Sequence, residues 1–93
     1  MARVLIVDDE RSMREFLEIL LSKAGHEVES IGDGKEALRR VAGEEYDLVI
    51  TDLRLGSISG LEILEAVKRY FPATEVVMIT GGSVIGVFLP WVR

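Results

Sequence analysis

Three aspartates in this sequence stand where carboxylates can do chemistry, at the ends of short apolar runs. Val4-Leu5-Ile6-Val7 leads into Asp8-Asp9-Glu10, and Leu48-Val49-Ile50 leads into Thr51-Asp52. A further run, Val76-Val77-Met78-Ile79, ends in Thr80-Gly81-Gly82. If these runs are neighbouring parallel strands, Asp8, Asp9 and Asp52 arrive on one edge from two of them. Gathering like charges out of water is costly unless something compensates. A hard divalent cation is the natural compensation, and Mg²⁺ takes one or two carboxylates together with waters and phosphate oxygens. A purely structural account treats the acids as helix N-terminal charges favoured by the helix dipole. That account suffices for Glu10, but it leaves no reason for aspartates at both strand ends. Thr80, by residue type alone, is an ordinary strand-end threonine. Gly81-Gly82-Ser83 could cradle an anion.

The elements that must position these groups are legible in the apolar pattern. Continuous β-branched runs suit strands covered on both faces. Val28 to Ile31, with Glu29 and Ser30 inside it, suits an edge strand. Three amphipathic segments lie between the runs. Met13, Phe16, Leu17, Leu20, Leu21 and Ala24 recur at three-and-four spacing and predict one apolar helix stripe. Ala37, Leu38 and Val41 mark the second helix, and Leu61, Leu64 and Val67 the third. Each opens with capping-box spacing: Ser12 with Glu15, Asp33 with Glu36, Ser59 with Glu62. Gly25, Gly43 and Pro72 supply the stops. The order βαβαβαβ predicts an α/β fold, a doubly wound parallel sheet with helices on both faces. Right-handed crossovers then bring the strands' C-terminal ends to one edge, where ligands of such sheets bind.

Composition narrows the function. The 93 residues allow one small domain, and 48% hydrophobic with 29% charged residues is a globular balance. Eleven basic against 16 acidic residues give a net charge of −5, which argues against a direct nucleic-acid grip. No cysteine is present, so disulfides and thiolate chemistry are excluded. The apolar run after Arg3 is too short for a signal peptide, and a cytoplasmic location is expected. From Val76 to Val92 there is no charge, but Gly81, Gly82, Gly86 and Pro90 interrupt the stretch, so no membrane span is expected. His26, between Gly25 and Glu27, reads as a solvated turn residue, and Arg39-Arg40 as a solvated helix face.

The strings Val4-Leu5-Ile6-Val7-Asp8-Asp9-Glu10, Asp47-Leu48-Val49-Ile50-Thr51-Asp52-Leu53, Gly60-Leu61 and Val77-Met78-Ile79-Thr80-Gly81 together resemble the receiver domain of two-component response regulators. The likeness covers residues 1 to about 83, and Arg11 to Leu17 is most similar to receivers of nitrogen-regulator-type transcription activators. The resemblance implies a flavodoxin-like fold in which Asp52 is the phosphoacceptor, taking a phosphoryl group from a sensor histidine kinase. It implies that Asp8, Asp9, Asp52 and the backbone carbonyl of Arg54 hold Mg²⁺. Thr80 would bind a phosphoryl oxygen through its hydroxyl, and Gly81 would leave room for the group. The kinase would dock beside the acidic edge, against the first helix. Such a protein is not a turnover enzyme; its one reaction is its own modification.

The sequence also departs from the family. A full receiver runs to roughly 120 residues, within the usual single-domain range, and continues with a fourth helix, a fifth strand ending in Lys-Pro, and a fifth helix. Here Val87-Phe88-Leu89-Pro90 has Leu89 where that lysine is expected and Gly86 where an aromatic switch residue is expected. A parallel crossover needs a dozen or more residues, which Gly82 to Ile85 cannot supply. The segment is expected to fold back as a hairpin, stay disordered or pair with another chain. Residues 1–83 are therefore expected to form the receiver-like domain and 84–93 an atypical apolar tail. Gly56-Ser57 is expected to loosen the loop after Asp52. An open flank on the fourth strand, with Phe88, Leu89 and Trp91 beside it, predicts a homodimer or larger assembly. The rival reading is a pseudo-receiver, an oligomerising interaction module that is never phosphorylated. A phosphohydrolase working through an aspartyl-phosphate is disfavoured, because Arg54 stands where such enzymes commonly carry a second catalytic aspartate.

Overall fold

In the computed structural model, which describes residues 1–89, the apolar runs become strands of one five-stranded sheet. Strands β1 (Arg3–Val7), β2 (Glu27–Ile31), β3 (Leu48–Asp52) and β6 (Glu75–Thr80) are mutually parallel. Between them run helices α1 (Arg11–Lys23), α2 (Gly34–Gly43) and α3 (Gly60–Tyr70). A two-residue ladder, β4 (Arg54–Leu55) with β5 (Ile58–Ser59), follows β3, and β7 (Ser83–Phe88) closes the described chain. The sheet order is β2-β1-β3-β6-β7, so strand order reverses between β1 and β3 and β2 is the expected edge.

Burial on both faces explains the unbroken apolar runs. Val4, Leu5, Ile6 and Val7 are all buried, and alternate residues serve opposite layers. Leu5, Val7, Val49 and Val76 pack with Ala37 and Val41 of α2 and Ile63 and Val67 of α3. Val4, Ile6, Ile50 and Ile79 pack beneath Met13, Leu17 and Leu21 of α1. Each such buried aliphatic side chain contributes roughly 1.5–3 kcal/mol relative to exposure. At the opposite end of the sheet from the aspartates, Arg3 pairs with Glu29 and Glu44 and lies over the Tyr46 ring.

Several local expectations are corrected. The α1 stripe splits: Met13, Leu17 and Leu21 face the sheet, whereas Phe16 and Leu20 are 60% and 53% exposed. The arc is wider than one sheet contact can cover, and among the described residues no second helix flanks it. Only Ser59 with Glu62 makes a complete capping box. Asp33 caps α2, but Glu36 turns to Arg39 and Arg40 instead of reaching back. The first helix starts before Ser12, with Glu10 as its N-cap and no side-chain cap bond. The reason is the Asp8 carboxylate, which accepts the Glu10 N–H and turns the chain immediately after the strand. Gly43 is the last residue of α2 and not the one after it. His26 is half-buried, its Nδ1 accepting the Ala2 N–H.

At the far edge of the sheet the last segment takes the hairpin, one of the three arrangements expected for it, and this corrects the open flank expected on the fourth strand. Gly81 and Gly82 have φ of +55° and +79°, the paired positive values of a tight hairpin turn that glycine adopts without penalty. Through that turn β7 folds back antiparallel on β6, with Thr80 opposite Ser83 and Val76 opposite Phe88. The flank of β6 is therefore covered within the chain, and the open edge moves out to β7. The loop after Asp52 carries the two-residue β4–β5 ladder, with Gly56 at φ +72° in its turn. Trp91, Pro90 and Val92 of the apolar tail lie outside the described residues.

Candidate functional site

The end of β1 places Asp8. Its N–H still donates to the Ile31 carbonyl of β2, its carbonyl accepts from Arg14 Nη1 at 2.6 Å, and its Oδ1 accepts the Glu10 N–H at 2.9 Å. Only 3% of the residue is exposed. Val7 lies opposite Thr51, so Asp8 and Asp52 are the next residues along neighbouring strands. One carboxylate oxygen each from Asp8, Asp9 and Asp52 lies within 4.8 Å of the others, with Asp9 exposed and Asp52 half-buried. Glu10 stays outside this cluster and accepts the Ser12 hydroxyl.

Backbone packing holds Asp52 from behind. Leu53 N–H donates to the Ile79 carbonyl at 2.8 Å, and Gly60 N–H to the Leu53 carbonyl at 2.7 Å. The buried Thr51 hydroxyl donates to the Asp52 carbonyl at 3.0 Å. Gly60, the first residue of α3, lies so close that a Cβ there would come within 2.2 Å of the Asp52 carbonyl oxygen. This close approach gives the Gly60-Leu61 motif a steric cause that residue spacing does not reveal. Arg54 follows in β4, its N–H 3.4 Å from Asp52 Oδ1. Thr80 ends β6, one residue beyond the Ile79 that pairs with Asp52, and is half-buried. Gly81 comes next, and nothing lies within 4 Å of the Cβ it lacks, so its positive φ rather than crowding calls for glycine.

Electrostatically the edge is unbalanced. Burial pushes the Asp8 carboxyl above its ordinary range, one backbone hydrogen bond from Glu10 opposes this, and the charges of Asp52, Asp9 and Glu10 push it further up. Among the described residues none of the three aspartates forms an ion pair with Lys or Arg. Three hard oxygen donors with uncompensated charge suit a divalent cation such as Mg²⁺ better than a soft metal. Arg14 escapes a search for site residues by type. Its one sequence signal is a cation in the first turn of a helix, where the dipole disfavours it.

Comparison with known proteins follows the same residues. The sequence model of the response regulator receiver domain family matches residues 4–87. The response regulator protein PilR of Pseudomonas aeruginosa is 42% identical over 78 residues, which are 84% of this chain and 18% of PilR. The response regulator ArlR of Staphylococcus aureus is 37% identical over 83 residues, 89% of this chain and 37% of ArlR. The chain thus spans less than two fifths of the length of these curated relatives. The crystal structure of response regulator TrrA from Thermotoga maritima, in complex with Mg²⁺ and BeF, superimposes with a TM-score of 0.81 at 36% identity. That match covers 89% of this chain and 72% of TrrA.

Proposed function

We propose, because this chain belongs to the response regulator receiver domain family of two-component systems, that Asp52 accepts a phosphoryl group from a sensor histidine kinase. The carrying observation is the convergence of Asp8, Asp9 and Asp52 on the C-terminal edge of the sheet. In the proposed step an Asp52 carboxylate oxygen attacks phosphorus, and the bond from phosphorus to the donor's imidazole nitrogen breaks. The electron pair returns to that nitrogen, which takes up a proton, and Asp52 becomes a mixed acyl phosphate. Asp8, Asp9, Asp52 and the Arg54 carbonyl would hold Mg²⁺. When bound, the ion would offset the charge of one anion meeting another and align the phosphoryl oxygens. Thr80 would donate its hydroxyl to a phosphoryl oxygen, beside the space left at Gly81. The exposed Phe16 and Leu20 on α1 give the kinase an apolar docking face next to the acidic edge. The protein modifies itself and is not a turnover enzyme. It works in the cytoplasm, without holding nucleic acid directly, and none of the described helices is long and apolar enough to cross a membrane.

The test is intact mass after incubation with acetyl phosphate and Mg²⁺, with Asp52→Ala alongside. The expected result is one added phosphoryl group, absent in the variant and absent without metal. No added mass on a chain shown folded by circular dichroism overturns the phosphoacceptor reading.

A second reading, an oligomerising pseudo-receiver, is favoured by β7. Val84, Ile85, Val87 and Leu89 are at least half exposed, and no charge blunts this edge strand. Beside it a shallow groove of about 800 Å³ is lined by Leu61, Leu64, Lys68, Val87, Phe88 and Leu89 among others. On this reading a second copy of the chain covers the edge.

A further inference from the structure

We propose that Arg14 is the positioning residue of the acidic edge, pinning the turn that carries Asp8, Asp9 and Glu10 before any metal arrives. The proposal rests on the metal reading above and adds a residue which that reading does not use. Strand β1 ends at Val7, and β2 ends at Ile31, so the Asp8 carbonyl lies beyond the last ladder partner. A buried carbonyl left without a donor is destabilising. Arg14 Nη1 supplies the donor at 2.6 Å, reaching back from the first turn of α1. A cation in that turn works against the helix dipole, and this hydrogen bond is what offsets the penalty.

The opposite wall of the guanidinium is Gly32, just past the end of β2. A Cβ on residue 32 would lie 2.7 Å from Arg14 Nη1 and 3.0 Å from Cζ. The backbone of Gly32 is not in the left-handed region, so alanine is tolerated there by the chain itself. What must move is the far end of a flexible side chain. Gly32 is thus the clearance that lets Arg14 reach Asp8, and it allows a variant that displaces the guanidinium while keeping the arginine.

Two consequences of Arg14 have opposite signs. Its charge near the carboxylates repels an arriving cation, so a purely electrostatic role makes Mg²⁺ bind more tightly once it is removed. A positioning role makes Mg²⁺ bind more weakly, by about tenfold, the lower end of what partners of ligand residues contribute. The experiment is calorimetric titration of the folded, full chain with MgCl₂, for the parent, Arg14→Ala, Gly32→Ala and the double variant. Each single variant is expected to weaken binding about tenfold, and the double variant no further than Arg14→Ala alone. Amide exchange without metal supplies an independent readout. Exchange of the Glu10 N–H, which bonds to Asp8 Oδ1, is expected to quicken about fivefold in both single variants as the turn opens locally. Tighter or unchanged Mg²⁺ binding in Arg14→Ala overturns the proposal, as does additivity in the double variant. If the parent binds no Mg²⁺, the metal reading fails by itself, and unaltered Glu10 exchange then overturns the positioning role separately.

Discussion

Placing one methyl group on Gly60 tests whether the start of α3 sets the position of Asp52. The new Cβ would lie 2.2 Å from the Asp52 carbonyl oxygen, 2.7 Å from Met78 Sδ and 3.0 Å from Leu53 Cα. Even close C–H···O contacts keep carbon and oxygen about 3.3–3.6 Å apart, so something must yield by about 1 Å. Methionine can adjust its sulfur, but the other two neighbours are backbone. Moving α3 breaks the bond from Gly60 N–H to the Leu53 carbonyl; moving Leu53 strains its bond to Ile79. Overpacking of this kind destabilises by about 1–3 kcal/mol, and a backbone clash belongs at the upper end. With about 4–8 °C per kcal/mol for a domain of this size, Gly60→Ala should lower the melting midpoint by about 12–24 °C. Gly43→Ala is the matched comparison: its Cβ meets nothing within 4 Å, and it lies in the last turn of α2. That substitution should raise stability by about 0.5 kcal/mol through lost backbone freedom in the unfolded chain. Urea and thermal unfolding followed by far-ultraviolet circular dichroism measure both. If Gly60→Ala stays within about 0.5 kcal/mol of the parent, the close approach is not what constrains Asp52.

Two further outcomes follow from the same edges. Asp8 is raised on folding, first by burial and then by Asp52, Asp9 and Glu10, against one bond from Glu10. Its favourable contribution is therefore complete below the ordinary value of 3.8 and is lost as pH rises through the elevated folded value. Asp8→Asn should be more stable than the parent near neutral pH without metal, with the gap closing as pH falls below 3.8. Melting series in a chelator measure this, and a variant that is less stable at neutral pH contradicts the sign. At β7, light scattering over rising concentration should show association that Val87→Lys suppresses. A monomer throughout removes the oligomerising reading.

Much of the site was legible because it sits where burial forces a pattern. Val4 to Val7 and Leu48 to Ile50 are strands with two covered faces, so their ends, and the aspartates on them, can be read from apolar continuity alone. Capping residues were less legible, because spacing cannot say which acid turns inward. Ser12 and Glu15 have capping-box spacing, yet the Asp8 carboxylate starts the helix before either can cap it. The α1 stripe misled for a related reason: periodicity records which residues are apolar, not whether a neighbour exists to cover them. Arg14 and Gly32 were invisible, since their relation joins the first turn of a helix to the end of an edge strand across a gap that no local pattern spans.

The departure from the family falls unevenly on the site. Asp8, Asp9 and Asp52 come from β1 and β3, which have strand neighbours on both sides and both faces buried, so their geometry does not depend on what lies beyond β6. Thr80 is different. It is the last residue of β6, and the next residues are the hairpin turn that sends β7 back antiparallel. In place of a parallel strand delivering a lysine to this edge, β7 runs away from it, and the Leu89 carbonyl accepts from Lys68 of α3. Lys68 also bonds the Thr74 carbonyl, and Thr74 lies before β6, at the end of the sheet remote from Asp52. Among the described residues no lysine is therefore delivered to this edge by a strand, and the cation that does stand there, Arg14, is bonded to the Asp8 carbonyl. On the proposed reading Asp8, Asp9 and Asp52 serve the metal-binding half of the chemistry, while among the described residues no lysine serves the half that ties phosphorylation to a distant strand. For this chain the consequence should appear first in the response to phosphorylation and only second in acceptance of the phosphoryl group by Asp52.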